Sequence, residues 1–514
     1  MHDLPANIPC RYASVRDVEW EWTAEDLHAA GATFVTLWGT DDRDREDSCF
    51  AIRAAFLLPA GLVVLSHKIR DLVNPSYPTL SHACPAAARM ERATRDLLGI
   101  ASTAADRRGW LRHSAWPANV YPLRRNDPQR ATNNQQLTTS PYPFVQVDGD
   151  GVHEIAVGPV HAGIIEPGHF RFSVVGEKVL RLEERLGYTH KGTAKLFESL
   201  PQNEAHRLAA RISGDSCVAF TWAYCAALEA ITATTVPPRA LDLRALALEH
   251  ERLANHLGDL GALGNDAGFA FGLTQFSRLK EDLLRANVEA FGTRYLFDYI
   301  FPGGVVRDVA HPTYAHLLHF YRRLEHEVTG LRSMYDEHGG LQDRFREAGR
   351  LSHELALQLG AMGLAARASG IAHDLRADHA WAPYDTLATQ IVTEATGDVA
   401  ARVQCRFREI FESLRLCRAL LADLSHTSAQ VTSIAAVVPE AEPNHLGLGV
   451  IEGWRGPVLI ALETGPSGQI RRCHAHDPSW QNWPLLEHAI LGNIVPDFPL
   501  INKSFNLSYS GQDG

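Results

Sequence analysis

Two short stretches place polar side chains at the spacing of a metal-binding motif. Ser213 and Ser216 enclose the run S-G-D-S, and Ser479 and Asn482 enclose S-W-Q-N near the other end of the chain. Two cysteines at this i, i+3 spacing commonly hold a metal through their thiolates. A hydroxyl or a carboxamide is a hard, weakly basic donor that is not ionised at neutral pH. These four residues therefore have the spacing of a metal-binding motif, but their side chains are not expected to bind a metal.

Two further motifs carry groups that move protons or bind oxygen-bearing ligands. The run E-P-G-H supplies Glu166 and His169, and the run E-G-W-R supplies Glu452 and Arg455. A histidine titrates near neutral pH, a carboxylate carries a proton, and a guanidinium binds anionic groups. Together these residues offer acid–base chemistry that needs no metal.

A line of four ionisable residues follows one face of a predicted helix over residues 240–263. Glu249, Arg252, His256 and Asp259 recur at helical spacing, beside an apolar stripe that includes Leu253 and Leu257. A solvated, salt-bridged face and a buried polar network at a site are both consistent with this pattern.

The elements that would position these residues fall into two parts. Residues 31–70 alternate short β-rich runs with an acidic turn, and residues 85–100 form a helical pattern with Glu91, Arg92 and Arg95 on its solvent side. A polar, proline-containing run at 126–145 predicts a linker. Further helices are predicted at 275–291, 313–334, 351–370 and 400–425. We therefore predict an α+β protein with a small α/β domain over 1–125, a linker over 126–145, and a mainly helical domain with a small β portion over 146–514.

The composition restricts the class of protein. The 514 residues are 45% hydrophobic and 21% charged, with a formal net charge of -11, so a large core is expected and nucleic acid is disfavoured as a partner. No run of eighteen apolar residues occurs, and the first residues do not resemble a secretory signal. The eight cysteines never form C-x-x-C, as is typical of reduced thiols. A cytoplasmic protein is the expectation.

Several blocks, in collinear order, resemble one family. The runs M-E-R-A-T-R-D-L-L-G-I (90–100) and Y-P-L-R-R (121–125) are similar to the 30-kDa subunit of respiratory complex I. Later runs resemble the large subunits of group 4 membrane-bound nickel-iron hydrogenases and the related 49-kDa subunit of complex I. These later runs are G-P-V-H-A-G-I-I-E-P-G-H-F-R (158–171), Y-T-H-K-G-T-A-K-L (188–196), L-E-H-E-R-L-A-N-H-L-G-D-L-G-A-L-G-N-D (248–266), P-G-G-V (302–305), A-R-A-S-G-I-A-H-D-L-R-A-D-H (366–379) and N-I-V-P-D-F-P-L-I-N-K-S-F-N-L-S-Y (493–509).

The resemblance implies where a metal centre would lie. In these hydrogenases two C-x-x-C pairs hold nickel and iron, one pair after an Arg near the middle and one after Asp-Pro near the C-terminal end. The corresponding positions here are Ser213, Ser216, Ser479 and Asn482, so we expect the nickel-iron site to be absent. A rebuilt single-metal site on Cys217, Cys473 and a histidine is disfavoured, because each cysteine stands alone and out of register.

The resemblance also implies a pocket at the former metal position. Glu166 matches a residue that relays protons in the hydrogenases, and His169 matches the loop whose histidine faces the quinone headgroup in complex I. The residues expected to line the pocket are His161, Arg211, Asp374, Arg376, His379, Glu452 and Arg455.

The function implied is that of a subunit of a membrane-associated oxidoreductase complex that couples electron transfer to proton or ion movement. The alternatives are a quinone-reactive subunit, as in complex I, and a non-catalytic scaffold. Expected partners are a small iron-sulfur subunit and antiporter-like membrane subunits, with iron-sulfur clusters and NAD bound by partners. Quinone remains open as a ligand of this chain. Attachment to the inner face of the cell membrane would then run through those partners.

Overall fold

The structure is a computed structural model that describes residues 1–113, 116–117, 120–125, 142–162, 165–427 and 433–514. Helices make up 44% of the chain and strands 19%, which confirms the predicted α+β class. The predicted linker lies mostly outside the described residues, and the domain boundaries stay a prediction.

Among the described residues, the strands form five sheets. Their bounds are β1 (His2–Asp3), β2 (Cys10–Val15), β3 (Thr33–Asp42), β4 (Cys49–Leu58), β5 (Gly61–Ile69), β6 (Ser76–Tyr77), β7 (Ala101–Ser102), β8 (Val152–Val157), β9 (His169–Val175), β10 (Lys178–Arg185), β11 (Ile300–Phe301), β12 (Gly304–Val305), β13 (Leu446–Glu452), β14 (Pro457–Thr464) and β15 (Ile470–His476).

Long helices fill the middle of the chain. Their bounds are α1 (Asp17–Ala29), α2 (Ala87–Leu98), α3 (Thr193–Phe197), α4 (His206–Ala209), α5 (Cys217–Ile231), α6 (Pro238–Asp266), α7 (Ala270–Phe291), α8 (His311–Glu337), α9 (Gly339–Phe345), α10 (His353–Gln358), α11 (Gly363–Ala368), α12 (Leu375–Asp378), α13 (Tyr384–Leu387), α14 (Val399–Thr427), α15 (Ser479–Ala489), α16 (Phe498–Phe505) and α17 (Tyr509–Asp513). Within the described ranges no helix is both long and apolar enough to cross a membrane.

The N-terminal part is a five-stranded sheet in the order β1-β2-β5-β4-β3, with β3, β4 and β5 antiparallel and β2 parallel to β5. The strands confirm the β-rich runs predicted within residues 31–70. Helix α2 confirms the helix predicted at 85–100, but the solvent-facing side predicted for it is wrong at Glu91 and Arg92, which are buried. Glu91 accepts hydrogen bonds from Leu80 N at 2.7 Å and Thr79 Oγ1 at 2.8 Å, which offset its burial.

A second sheet, β13-β14-β15, packs between the N-terminal sheet and helix α5. Asn7 holds the first residues of the chain to it through both polar groups of Val450, each at 2.8 Å. The Trp38 ring of β3 stacks on His474 of β15, with centroids 5.0 Å apart. The two parts therefore share one continuous hydrophobic core.

The helix predicted over 351–370 is wrong as a single element. Helix α10 ends at Gln358 and α11 begins at Gly363, with Gly360 at φ +71° and Gly363 at φ +57°. The left-handed backbone at these two glycines separates the two helices. At Gly363 an added Cβ would lie 1.8 Å from Arg455 O, so only glycine fits there.

Candidate functional site

The first polar turn, Ser213–Ser216, meets the C-terminal segment. Ser213 lies just before α5 and Ser508 just before α17, and their hydroxyl oxygens are 2.8 Å apart. Ser213 Oγ also donates to Asp215 Oδ1 at 2.8 Å, while Gly511 N donates to Ser508 Oγ at 2.8 Å. Both serines are buried. The two segments therefore form one hydrogen-bonded group, which we call the serine cluster (Ser213, Asp215, Ser216, Ser508 and Ser510).

The two ends of the second polar run, Ser479 and Asn482, contact different parts of the chain. Ser479 Oγ accepts a hydrogen bond from Ser508 N at 2.9 Å, so this residue supports the serine cluster. The Asn482 amide instead exchanges two hydrogen bonds with the backbone of Met362, each at 3.1 Å. The structure therefore brings Ser213 and Ser479 to Ser508 and joins Asn482 to the loop before α11.

Ser508 was not among the predicted site residues. Ser508 and Gly511 have the same i, i+3 spacing as Ser213 and Ser216, in the run S-Y-S-G at the C-terminal end. That run continues the tail block that carries the family resemblance. The Asp-Pro pair at 477–478 favoured the earlier run instead, and the repeated spacing was the signal that could have identified Ser508.

Arg455, one of the residues expected to line the pocket, lies at the serine cluster. Its Nη1 donates to Asp215 Oδ1 at 2.8 Å and to Ser216 Oγ at 3.2 Å, and its Nε donates to Asn506 O at 2.6 Å. Burial alone would raise the pKa of Asp215, but the adjacent guanidinium of Arg455 holds that pKa below its ordinary value. The cluster therefore contains an ionised carboxylate and a fixed positive charge.

Glu166 lies at the exposed edge of the cluster. Its Oε2 accepts a hydrogen bond from Ser510 N at 3.1 Å. Nearby, the Lys191 ammonium donates to Arg211 O and Ile212 O, each at 2.8 Å, and burial lowers the pKa of Lys191. The Arg211 guanidinium points elsewhere, because it is exposed and pairs with Asp298 at 2.8 Å. Arg211 therefore contributes its backbone oxygen, and not its guanidinium, to the contacts of Lys191.

His169 is buried at the start of β9, and both ring nitrogens have neighbours. Nδ1 lies 3.2 Å from Gly158 O, and Arg171 Nε donates to Nε2 at 3.4 Å. Burial lowers the pKa of His169, so the imidazole is neutral at pH 7. His161, also predicted for the pocket, lies in the same loop with Nε2 2.8 Å from Gly168 O.

The line of charges on α6 is a buried network rather than a solvated face. Arg376 Nη1 lies 2.9 Å from Glu249 Oε1, and Arg376 Nη2 lies 2.7 Å from Asp374 Oδ2. Glu409 Oε2 is 2.8 Å from His256 Nε2. The network, called the ion network below, comprises Glu249, Arg252, His256, Arg367, Asp374, Arg376, Glu409 and Glu452, all buried.

Glu452 belongs to the ion network and not to the serine cluster. Its Oε1 accepts from Arg367 Nη1 at 3.0 Å, and burial raises its pKa. His379 lies directly after α12, and burial lowers its pKa. Asn506 connects Arg455 at the serine cluster to α6, because its backbone oxygen accepts from Arg455 Nε at 2.6 Å and its Nδ2 donates to Asp259 Oδ1 at 2.6 Å. The single predicted pocket is thus two adjacent groups.

A further titratable residue, Glu251, lies beside the serine cluster. It was not predicted, and it accepts hydrogen bonds from Val218 N at 2.7 Å and Ala219 N at 3.2 Å in the first turn of α5. Burial raises the pKa of Glu251 to about 8. Its place on α6 next to Arg252, one of the four aligned ionisable residues, was the sequence signal that could have identified Glu251.

The cysteines do not gather at these groups, although Cys217 directly follows Ser216 and lies beside Glu251. Cys217 Sγ donates to Tyr295 O at 2.8 Å, and burial raises the pKa of both Cys217 and Cys473. All eight cysteines are buried and free. In the part of the chain that the structure covers, no three His, Cys, Asp or Glu side chains are grouped to hold a metal ion.

Comparisons with known proteins place these features in a family. Residues 266–513 match the family described as the 49 Kd subunit of respiratory-chain NADH dehydrogenase, and residues 14–133 match that of its 30 Kd subunit. Formate hydrogenlyase subunit 5 of Escherichia coli (strain K12) is 31% identical, over 86% of this chain and 78% of that protein. The C/D fusion subunit of NADH-quinone oxidoreductase from Phocaeicola vulgatus is 27% identical, over 78% of this chain and 80% of that protein.

A solved structure shares the fold. It is that of the membrane-bound sulfane sulfur reductase, an archaeal respiratory membrane complex, and the match has a TM-score of 0.65 at 22% identity. The match covers 73% of this chain and all of that chain. The chain therefore belongs to the family of hydrogenase large subunits and complex I 49-kDa subunits, with a part similar to the 30-kDa subunit before it.

Proposed function

We propose that this chain is a subunit of a membrane-associated oxidoreductase complex and that it takes part in proton-coupled electron transfer without a nickel-iron centre of its own. The family supports the first half, since the relatives are named as subunits of formate hydrogenlyase and of NADH-quinone oxidoreductase. The chemistry of the serine cluster supports the second half.

The observation that carries the proposal is the hydrogen bond between the hydroxyls of Ser213 and Ser508 at 2.8 Å. We take Ser508 and Gly511 as the second pair of the ligand frame, facing Ser213 and Ser216. Three hydroxyls and a glycine do not fit nickel and low-spin iron, which need ionised thiolates. The Arg455 guanidinium beside Ser216 adds a positive charge where a cation would lie.

The serine cluster is suited to proton movement. Ser510 Oγ lies 3.5 Å from Ser508 Oγ, Ser508 Oγ lies 2.8 Å from Ser213 Oγ, and Ser213 Oγ donates to Asp215. A hydroxyl donates one hydrogen bond while accepting others, so a row of hydroxyls can pass a proton along. Glu166, exposed beside Ser510, would exchange that proton with the solvent.

The partners follow from the relatives. We infer membrane subunits as partners, and among them antiporter-like proteins, together with a small iron-sulfur subunit that supplies electrons. Iron-sulfur clusters and NAD would reside in those partners, and this chain would contact the membrane only through them, on the inner, cytoplasmic face. The names of the formate hydrogenlyase and NADH-quinone oxidoreductase relatives and the respiratory membrane complex that shares the fold support this inference.

Metal analysis and mild-detergent purification test the proposal. The purified chain should contain less than about a tenth of an equivalent of nickel, while formate hydrogenlyase subunit 5 prepared in parallel serves as the positive control. Membrane subunits should co-purify. Stoichiometric nickel would refute the absence of the centre, and a monodisperse free chain would refute the complex. Reduction of added quinone by the isolated complex would instead favour the quinone-reactive alternative.

A further inference from the structure

A cavity of about 400 Å³ lies between the N-terminal sheet and the helices α10 to α12, and no residue of the serine cluster lines it. Its volume falls within the roughly 300–1,000 Å³ typical of small-molecule sites. Buried apolar side chains supply much of its wall, among them Phe34, Val35, Met362, Ile371 and Leu375. A ligand here would contact both parts of the chain.

One end of this cavity is acidic. Asp374, Asp378 and Glu452 line it, and no lysine or arginine does so within the described ranges. Asp378 is the most accessible of the three, with a side chain 31% exposed. His373 Nδ1 lies 3.2 Å from Asp378 Oδ2, and that hydrogen bond raises the pKa of His373. We call this space the acidic cavity.

The buried charge behind the acidic cavity is not balanced. The ion network holds four carboxylates, Glu249, Asp374, Glu409 and Glu452, against three guanidiniums, those of Arg252, Arg367 and Arg376. Burial lowers the pKa of His256, so its ring adds no charge at pH 7. Burial raises the pKa of Glu452 to about 7, so above that pH one negative charge is left over at the end of the network that lines the cavity. Below that pH a proton on Glu452 offsets the charge, whereas above it a cation in the cavity would do so.

We propose that the acidic cavity binds a small organic cation, a protonated primary or secondary amine on an apolar body. The ammonium would lie at Asp378 and Glu452, and the body would pack on Met362 and Ile371. An anion is excluded by the three carboxylates, and a neutral molecule leaves the excess charge in place. This site is independent of the serine cluster and goes beyond the function proposed above.

The test uses the full chain at pH 8 and three probes of one shape. These are 2-phenylethylamine, which is protonated at that pH, its neutral counterpart 2-phenylethanol, and the anion 3-phenylpropanoate. The amine should raise the Tm and bind at least tenfold more tightly than the alcohol, and the anion should not bind. Equal affinity for amine and alcohol, or no amine binding, would overturn the proposal.

Variants locate the site. Asp378→Asn should weaken amine binding at least threefold and leave alcohol binding unchanged, whereas Asp343→Asn, an equal charge change on the exposed face of α9, should alter neither. Ala361→Phe fills the cavity and should abolish amine binding. If Ala361→Phe does not fold, hydrogen exchange decides: the amine must protect residues 31–35 and 356–366, and protection elsewhere or nowhere refutes the site.

Discussion

The hydroxyl oxygens of Ser213 and Ser508 lie 2.8 Å apart although 295 residues separate them in the chain. Ser508 also receives a bond from Gly511 N and gives its own N–H to Ser479. The C-terminal segment is thereby fixed against the turn that begins α5. A hydrogen-bonded pair of this kind is measurable in solution.

The bond between Ser213 and Ser508 should appear in a double-mutant cycle. Ser213→Ala and Ser508→Ala should each lower the free energy of unfolding, and the double variant should lose less than the sum by about 1 kcal/mol. Chemical denaturation of the full chain measures this coupling. Ser277→Ala, at an exposed position on α7, is the control and should combine additively with Ser213→Ala. Strict additivity for the pair of serines would contradict the contact.

Glu251 should make the stability of the chain depend on pH. Its pKa is about 8 in the folded chain and about 4.3 when unfolded, so the folded state binds the extra proton between these values. The stabilisation is complete below pH 4 and is lost as the pH rises to 8, by up to about 1.4 kcal/mol per pH unit. Glu251→Gln keeps an oxygen for Val218 N but does not titrate, so its Tm should fall less than that of the wild type between pH 5 and 8.

The control for Glu251 is Glu281→Gln. Glu281 is exposed, and hydrogen bonds from Arg294 and Arg285 lower its pKa to about 2, so it stays ionised throughout that range. Its substitution should leave the pH profile of the Tm parallel to the wild type. Parallel profiles for Glu251→Gln as well would show that Glu251 is ionised in the fold.

Glu166 and His169 should affect turnover and not assembly. Glu166→Gln and His169→Ala should leave the complex intact in mild detergent while lowering proton-coupled electron flow, because Glu166 serves the serine cluster from the solvent side. The solvent isotope effect on electron flow should change only in Glu166→Gln. Glu177→Gln, on the exposed turn between β9 and β10, is the control. Wild-type rates in both variants would favour the scaffold alternative.

Arg53 should be a strong contributor to the contact between the two sheets. Its guanidinium and the Glu463 carboxylate are buried and hydrogen-bonded, so Arg53→Ala removes the direct partner of a buried charge. We expect a loss of about 3 kcal/mol in the free energy of unfolding. Arg16→Ala breaks an exposed pair with Glu19, which solvent screens, and should lower the free energy of unfolding far less. Similarly small losses of unfolding free energy for both variants would show that Arg45 and Arg471 fully balance the charge of Glu463 without Arg53.

Gly449 and Gly330 should respond in opposite directions to alanine. A Cβ at Gly449 would lie 1.8 Å from Ala223 O of α5, so Gly449→Ala must separate β13 from that helix and should lower the Tm strongly. Gly330 lies within α8 with open space around it, so Gly330→Ala should stabilise by about 0.5–1 kcal/mol. Thermal denaturation of the two variants in parallel checks both signs. A neutral Gly449→Ala would contradict the close packing.

Elements with a regular periodicity could be predicted from the sequence. Strands β3 to β5 and helices α2, α6 and α14 lie where the patterns predicted them. No strand was predicted over 446–476. In β13, the first strand of that range, Gly447 and Gly449 interrupt the apolar alternation. Because those glycines have no side chain, α5 can pack closely against β13. This contact is between distant segments, so local sequence patterns do not predict it.

For the site, residue types could be predicted better than their partners. Glu166 and Arg455 lie at the serine cluster, and the line at 249–259 is buried. Arg211 was expected in the pocket but pairs with Asp298 on the surface, and Ser508 was overlooked. Which side chains meet depends on how distant segments pack, and the i, i+3 spacing alone could not choose between two C-terminal runs.

The contact of β3 with β15 has a consequence for synthesis of the chain. Arg53 and Trp38 leave the ribosome some 400 residues before Glu463 and His474, their partners in the second sheet. At translation rates of about 5–20 residues per second, that delay is roughly 20–80 s. Throughout this interval one face of the nascent domain is uncovered, which makes it a natural client for a holding chaperone until the last strands arrive.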